Sequence, residues 1–259
     1  MTHGIQASKL HPEAYTAWKH RGIFIQHGTE SPEIVVLGDS HALMLAGTID
    51  RVASSLKKSV SFYAAHGISP FMTVPVQKSK PTRSFNLEER YVYDLNRLRH
   101  LDEWKPKVVV ISSKWSNEYS ANEDLIKLLS ERGTKVILIQ QPPELYFGDV
   151  NALQYISFLR LLPKHGLKQT VRAKMDDSDY RSGQRYVREL CVKYKSCYAI
   201  EVEDAFRDPT SGDVYVLDGK DVLYTDEDHL SQRGAEILQS RIQAVIESVF
   251  KGDYRYFPE

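Results

Sequence analysis

Short apolar runs that stop at a glycine, a proline or a polar residue recur along this chain, each followed by apolar residues spaced three and four apart. That alternation leaves few folds open. Ile34-Val35-Val36-Leu37 runs into Gly38 and suits a strand buried on both faces. Leu43, Ala46, Ile49, Val52, Ala53 and Leu56 then follow at helical spacing. The pattern predicts further strands over 60–65 (closed by His66-Gly67), 107–112, 135–139 (broken by Pro142-Pro143) and 197–202. It predicts helices over 86–102, 121–132 (stopped by Gly133), much of 150–194 outside a polar interruption at 164–182, and a C-terminal helix marked by Ile237, Leu238, Ile242, Val245, Ile246 and Val249. A loop rich in Pro, Lys and Ser covers 70–84. Repeated strand–helix units give a three-layer α/β/α sandwich around a central parallel sheet, here of about five strands.

With 259 residues the chain suits one large domain of this kind. Residues 1–32 are polar and irregular and read as an N-terminal extension or linker, leaving 33–259 as the domain. Lys plus Arg equals Asp plus Glu at 34 each, without basic runs, which argues against nucleic acid as a partner. No run approaches the roughly 18 apolar residues a membrane span needs. The N-terminus has no charged start followed by an apolar core, so it does not read as a secretory signal. Two locations follow: cytoplasmic if residue 1 is the natural start, extracytoplasmic if the domain is cut from a longer precursor. Cys191 and Cys197 fit no common zinc or redox spacing, and both a small disulfide loop and two free thiols remain open.

In open α/β sheets, ligands bind beyond the carboxyl ends of the strands. Gly38-Asp39-Ser40-His41 stands there, directly after the first predicted strand, with Gly38 allowing a sharp turn and Ser40 at a helix N-terminus. Free amides and the helix dipole at that point can stabilise a developing oxyanion. Taken alone, Asp39 or Ser40 also reads as a plain helix cap. The second constellation, Tyr224-Thr225-Asp226-Glu227-Asp228-His229-Leu230-Ser231, precedes the final helix. A nucleophilic serine needs a base, histidine titrates in the right range, and a carboxylate three residues earlier can reach the imidazole across one tight turn. Alone, this stretch reads equally as an acidic loop leading to a helix capped by Ser231. No G-x-S-x-G elbow, Walker loop, G-x-G-x-x-G or H-E-x-x-H is present, which turns the reading away from ordinary α/β-hydrolases, NTPases, dinucleotide enzymes and zincins.

Together, strand–Gly-Asp-Ser–helix near the start and Asp-x-x-His before the last helix resemble the SGNH (GDSL-like) hydrolase superfamily, whose fold is flavodoxin-like. The resemblance is closer to the SGNH domains attached to membrane acyltransferases that O-acetylate bacterial surface polysaccharides. It rests on Gly38-Asp39-Ser40-His41, Trp115, Gln141-Pro142-Pro143-Glu144, Asp226 through His229-Leu230-Ser231, and Gly234-Ala235, and spans about residues 33–250. It implies Ser40 as nucleophile, His229 as base and Asp226 as its orienting acid. It further implies an oxyanion hole of the Ser40 amide, a glycine after the second strand, for which Gly67 fits, and an asparagine after the third. Here Ser113-Lys114-Trp115-Ser116-Asn117-Glu118 departs from the usual G-x-N-D. Asn117 is the side-chain candidate; the alternative is a hole of backbone donors alone.

Trp115, His41 and Tyr146 fall on the predicted active edge as candidate substrate contacts, with core or rim packing as the bland alternative for an aromatic. His66 beside Gly67 reads as a solvated loop residue. The implied reaction is acyl transfer through an acyl-Ser40 ester, using no cofactor and no metal. Its partners would be an acyl donor, a carbohydrate acceptor and a membrane acyltransferase domain in the same or another chain, and its place periplasmic, tethered to the inner membrane through a segment outside this chain. A stand-alone carbohydrate esterase and a non-catalytic glycan-binding module are the two other readings. If His229 is the base, activity is expected to rise through about pH 6.5, the reference histidine value.

Overall fold

The computed structural model describes residues 22–70, 85–115, 123–146, 152–161, 169–171 and 178–257. The apolar runs become the strands of one six-stranded sheet: β1 (Ile23–Ile25), β2 (Ile34–Gly38), β3 (Val60–Ala64), β4 (Val108–Ser112), β5 (Lys135–Ile139) and β7 (Cys197–Ile200), in spatial order β1-β3-β2-β4-β5-β7. All neighbours are parallel except β1, which pairs antiparallel with β3. Every residue of β2, β3 and β4 is buried, as continuous apolar strands covered on both faces should be.

The helices are α1 (Ser40–Ser55), α2 (Leu87–Trp104), α3 (Asp124–Glu131), α4 (Ala152–Leu161), α5 (Ser178–Lys193), the short α6 (Glu203–Phe206), α7 (Gln232–Ile237) and α8 (Gln239–Lys251). α1 is buried along most of its length and packs against both the sheet and the C-terminal pair α7 and α8. The C-terminal helix read from sequence is thus two helices meeting at Leu238, the first capped by Ser231, whose hydroxyl accepts from the Gly234 amide. None of the described helices is long and apolar enough to cross a membrane. Cys191 and Cys197 are both free thiols.

Two features differ from the sequence reading. Residues 22–32 do not hang off the domain: Ile23 pairs with Phe62, Phe24 with Ser61 and Ile25 with Val60, so the boundary expected at 33 falls between two strands of one sheet. Three residues carry too little pattern to announce a strand; the open edge of β3 supplies the pairing. The polar stretch read as an interruption at 164–182 contains β6 (Gln169–Val171), which forms a second antiparallel sheet with β8 (Val214–Asp218) and β9 (Asp221–Val222). Its last strand leads into the segment 223–231.

The strand order places the site. From β2 the chain adds β3 on one side and then crosses to add β4 on the other, so the connections diverge at the carboxyl end of β2. Such a switch point opens a crevice. Gly38, Ala64 and Ser112 are in register there, which brings the segments starting at Asp39, Ala65 and Ser113 to one edge. Behind the β3 segment, the buried Asp94 accepts from the side chains of Arg90 and Arg97, and both arginines donate to the Ser69 carbonyl at 3.3 Å. They hold the chain just past Gly67.

Candidate active site

The turn between β2 and α1 is built by two residues. Gly38 has φ +155°, and a Cβ there would lie 1.9 Å from the Ser112 carbonyl oxygen, so glycine lets β2 run against β4 up to its last residue. Asp39 then caps α1: its Oδ1 accepts from the His41 amide at 2.8 Å, while its backbone carbonyl accepts from the amides of Ala42 and Leu43. Its Oδ2 accepts from the Ser113 hydroxyl at 2.7 Å and the Lys114 amide at 2.9 Å, tying the turn to the end of β4. Burial alone would favour the neutral acid. The neighbouring His41 and these donors outweigh it and hold the Asp39 carboxyl below its usual range. Sequence reading saw a cap in Asp39; its bonds to residues more than seventy positions away exist only in the fold.

The other half of the site is a turn with a fastened stem. Tyr224 and Leu230 form a β-bridge, Thr225 N donates to His229 O at 2.8 Å, and Ser231 N donates to Leu223 O at 2.9 Å. Within the turn, Asp226 Oδ1 accepts from the amides of Asp228 (3.0 Å) and His229 (2.7 Å), which fixes the carboxylate beneath the imidazole. His229 Nδ1 lies 2.9 Å from both Asp226 oxygens, and His229 Nε2 lies 2.7 Å from Ser40 Oγ. Three side chains, the outermost 189 positions apart, thus form one hydrogen-bonded line. Such a line can pass the serine proton to imidazole while a carboxylate holds the ring.

Three further side chains join it. Asp228 Oδ1 is 2.8 Å from the same Nδ1, and Lys114 Nζ reaches Asp228 Oδ2 at 2.8 Å and Glu144 Oε1 at 3.1 Å. Burial lowers the proton affinity of His229, but the carboxylates of Asp226 and Asp228 overcome it and push its pKa up to about 10. Asp228 in turn is held well below the usual carboxylate range: burial opposes ionisation, and His229 and Lys114 prevail. The Asp226-Glu227-Asp228 run was the sequence signal for this second carboxylate. Spacing put Asp226 alone on the imidazole, because side-chain directions in an irregular turn do not follow from spacing.

Among the described residues, the amides of Ser40 and Gly67 make no backbone hydrogen bond. Gly67, at φ +67°, is exposed in the turn after β3. Asn117 lies outside the described residues.

Two candidate substrate contacts are corrected. Trp115 is 1 % exposed; its indole N–H donates to Ile139 O and its amide to Gln141 Oε1, both at 2.8 Å, so it is a core residue joining the loops after β4 and β5. His41 is also 1 % exposed. Its Nδ1 faces Asp39 Oδ1 at 3.2 Å, and its ring lies against that of His229 with centroids 4.8 Å apart, so it is a wall behind the base. Tyr146 remains open to solvent at 57 %, one residue past Leu145, whose amide donates to Glu227 O at 2.8 Å.

His41, Asp228 and His229 present potential metal-ligand atoms within 4.8 Å of one another. Both imidazole nitrogens of His229 are already engaged, Nε2 by Ser40 and Nδ1 by the carboxylates.

A family model described as "SGNH domain (fused to AT3 domains)" matches residues 10–244. No curated protein matches the chain. Among solved structures, the periplasmic domain of a lipopolysaccharide acetyltransferase from Salmonella ser. Paratyphi A is similar with a TM-score of 0.58 at 16% identity, covering 94% of this chain and 100% of that one. A possible lipase from Chitinophaga pinensis DSM 2588 aligns with a TM-score of 0.41 at 10% identity, covering 84% and 98%.

Proposed function

The chain belongs to the family of SGNH domains fused to AT3 domains, and from that premise we propose that it is a serine-dependent O-acyltransferase domain, passing an acetyl group from an acyl donor to a carbohydrate hydroxyl of a bacterial surface polysaccharide. At the coarser level it is an SGNH-type enzyme of acyl transfer or ester cleavage. The observation that carries the acyl-Ser40 chemistry is the Ser40–His229–Asp226 line at the switch-point edge; the family's fusion to AT3 domains supports transfer to a carbohydrate over hydrolysis.

In the first step Ser40 Oγ bonds to the acyl carbon as its proton passes to His229 Nε2, and that proton then goes to the leaving group. Asp226 keeps the imidazole oriented and stabilises the imidazolium. The amides of Ser40 and Gly67 would hold the oxyanion, with Asn117 as a further donor. In the second step an acceptor hydroxyl gives its proton to Nε2 and attacks the ester carbon; the bond to Ser40 Oγ breaks as Nε2 returns a proton to that oxygen. A sugar hydroxyl makes the enzyme a transferase; water makes it an esterase. Tyr146 would stack on a sugar ring, a role its exposure supports.

The domain would work outside the cytoplasm beside a membrane acyltransferase part, in the same chain or another. The family's fusion to AT3 domains supports that arrangement. So does the fold neighbour, itself the periplasmic domain of a lipopolysaccharide acetyltransferase.

The test supplies an acetyl ester and a polysaccharide fragment and follows both products by mass spectrometry. Acetylated sugar, formed by the wild type and not by Ser40→Ala, is the expected result. Free acetate alone, whatever the acceptor, would leave an esterase. Binding of the fragment without Ser40-dependent turnover would leave a glycan-binding module.

A pH prediction follows from the two carboxylates. Only the neutral imidazole accepts the Ser40 proton, and a pKa near 10 leaves about one molecule in a thousand neutral at pH 7. The limb expected at 6.5 from sequence therefore moves up: Ser40-dependent kcat/KM should climb about tenfold per pH unit from pH 7 and level only near pH 10. A plateau already reached at pH 7.5 would contradict it.

A further inference from the structure

His229 Nδ1 carries one hydrogen and faces three carboxylate oxygens: two of Asp226 at 2.9 Å and one of Asp228 at 2.8 Å. One acid is enough to orient an imidazole. Two acids on one nitrogen repel each other unless a cation sits between them and their surroundings, and Lys114 supplies it, bridging Asp228 to the buried Glu144. Glu144 is held in turn by Gln141, whose Nε2 donates to Glu144 Oε1 at 3.3 Å. Among the described residues, the charged and titratable groups around His229 are Asp226 and Asp228 from its own turn, Ser40 and His41 from α1 with Asp39 behind His41, Lys114 after β4 and, beyond Lys114, Glu144 after β5.

We infer that Asp228 is a positioning residue of the acyl-transfer reaction, a second carboxylate on the base whose effect Lys114 tempers, so that Lys114 and Glu144, from the loops after β4 and β5, act on proton transfer at Ser40 without themselves touching substrate. Counting Asp226, Asp228, Glu144, Lys114 and His229, the group carries one net negative charge with the imidazole protonated and two with it neutral. Proton arrival on Nε2 during Ser40 attack relieves that excess. The cost is a resting base that is mostly protonated at neutral pH. The arrangement exchanges availability of the base for stabilisation of the imidazolium formed in the transition state.

The inference rests on the acyl-Ser40 reading, and its test separates the two. The Ser40-dependent pH profile of kcat/KM is measured for wild type, Asp228→Asn, Lys114→Met and the double variant. In parallel, the His229 imidazole is titrated by NMR, which needs no turnover. Asp228→Asn removes an anion from Nδ1 and should lower the midpoint by about one unit or more, whereas Lys114→Met leaves Asp228 untempered and should raise it. The double variant should stay close to Asp228→Asn, because Lys114 acts through Asp228. KM should change little in each. A merely structural Asp228 would predict loss of activity without opposite midpoint shifts. Unmoved midpoints, or shifts in the same direction in folded protein, would overturn the inference. If Asp228→Asn does not fold, Lys114→Met decides alone: an upward shift supports it, an unchanged midpoint overturns it. If the wild type shows no Ser40-dependent turnover, the acyl-Ser40 reading fails, and the imidazole titration still decides whether Asp228 acts on His229.

Discussion

Ser40→Ala is expected to lower kcat on an acetate ester by on the order of 10⁴–10⁶-fold while leaving the fold in place. The serine hydroxyl is the atom that would bond to the acyl carbon, and its partner within the protein is the imidazole nitrogen 2.7 Å away. Removing it costs one hydrogen bond at a half-buried position, about 1 kcal/mol, which thermal unfolding should register as a small shift. His229→Ala should cost a similar factor, and the double variant little more, because residues that act as one unit lose most of their effect with the first removal. What survives would come from oxyanion donors and substrate binding. Additive losses in the double variant, or a Ser40→Ala enzyme within tenfold of wild type, would mean that the line of side chains at the switch point is not the reacting group.

Gly38→Ala should be the most destabilising single methyl addition at the site. The new Cβ would meet the Ser112 carbonyl oxygen at 1.9 Å and Ala42 Cβ at 2.7 Å, in a backbone conformation (φ +155°) that side chains rarely adopt. Neither neighbour is the free end of a flexible chain: one is the backbone of β4, the other the first turn of α1. Relief requires separating β2 from β4 at their last paired residues or rotating the turn that carries Ser40. The first costs on the order of 3–5 kcal/mol, a large share of a typical domain's stability. The second moves Oγ out of line with Nε2 and lowers kcat/KM. Chemical denaturation with activity on the folded fraction distinguishes the two routes. A variant with both the stability and the activity of the wild type would show that the turn is not constrained as described.

Local chemistry made much of this molecule readable without coordinates. β2, β4 and β5 fall where continuous apolar runs met a glycine or a polar stop, because burial on both faces leaves room for few polar side chains. The cap at Ser231 was legible because it depends on residues within a few positions of itself, and the turn at Gly38 because a glycine after an apolar run is visible in the sequence, although the close approach of Ser112 that requires it is made across the sheet. The second sheet was not: β6 and β9 are only three and two residues long, and β8, although Val214, Val216 and Leu217 are buried, lies among polar neighbours, so each strand is announced by its partner rather than by its own pattern. Trp115 and His41 were read as lying at an exposed edge because they follow strands. Trp115 is buried where its amide and indole meet Gln141 and Ile139 and Gly183 comes close to its backbone, and His41 where the ring of His229 from the 223–231 turn lies against it.

The sequence alone determined the alternation of strands and helices, the sharp turn before Ser40 and the short reach from Asp226 to His229, since each is decided by sterics and burial over a handful of neighbours. Only the tertiary structure decided that Lys114, 114 positions from Asp228, would bridge it to Glu144, that Asp39 would hold the end of β4, and that the base would face two acids rather than one. Those pairings depend on which loops the crossovers bring to one edge of the sheet. Over such separations the electrostatic environment of a histidine is a property of the packed domain and not of the residues beside it in the chain.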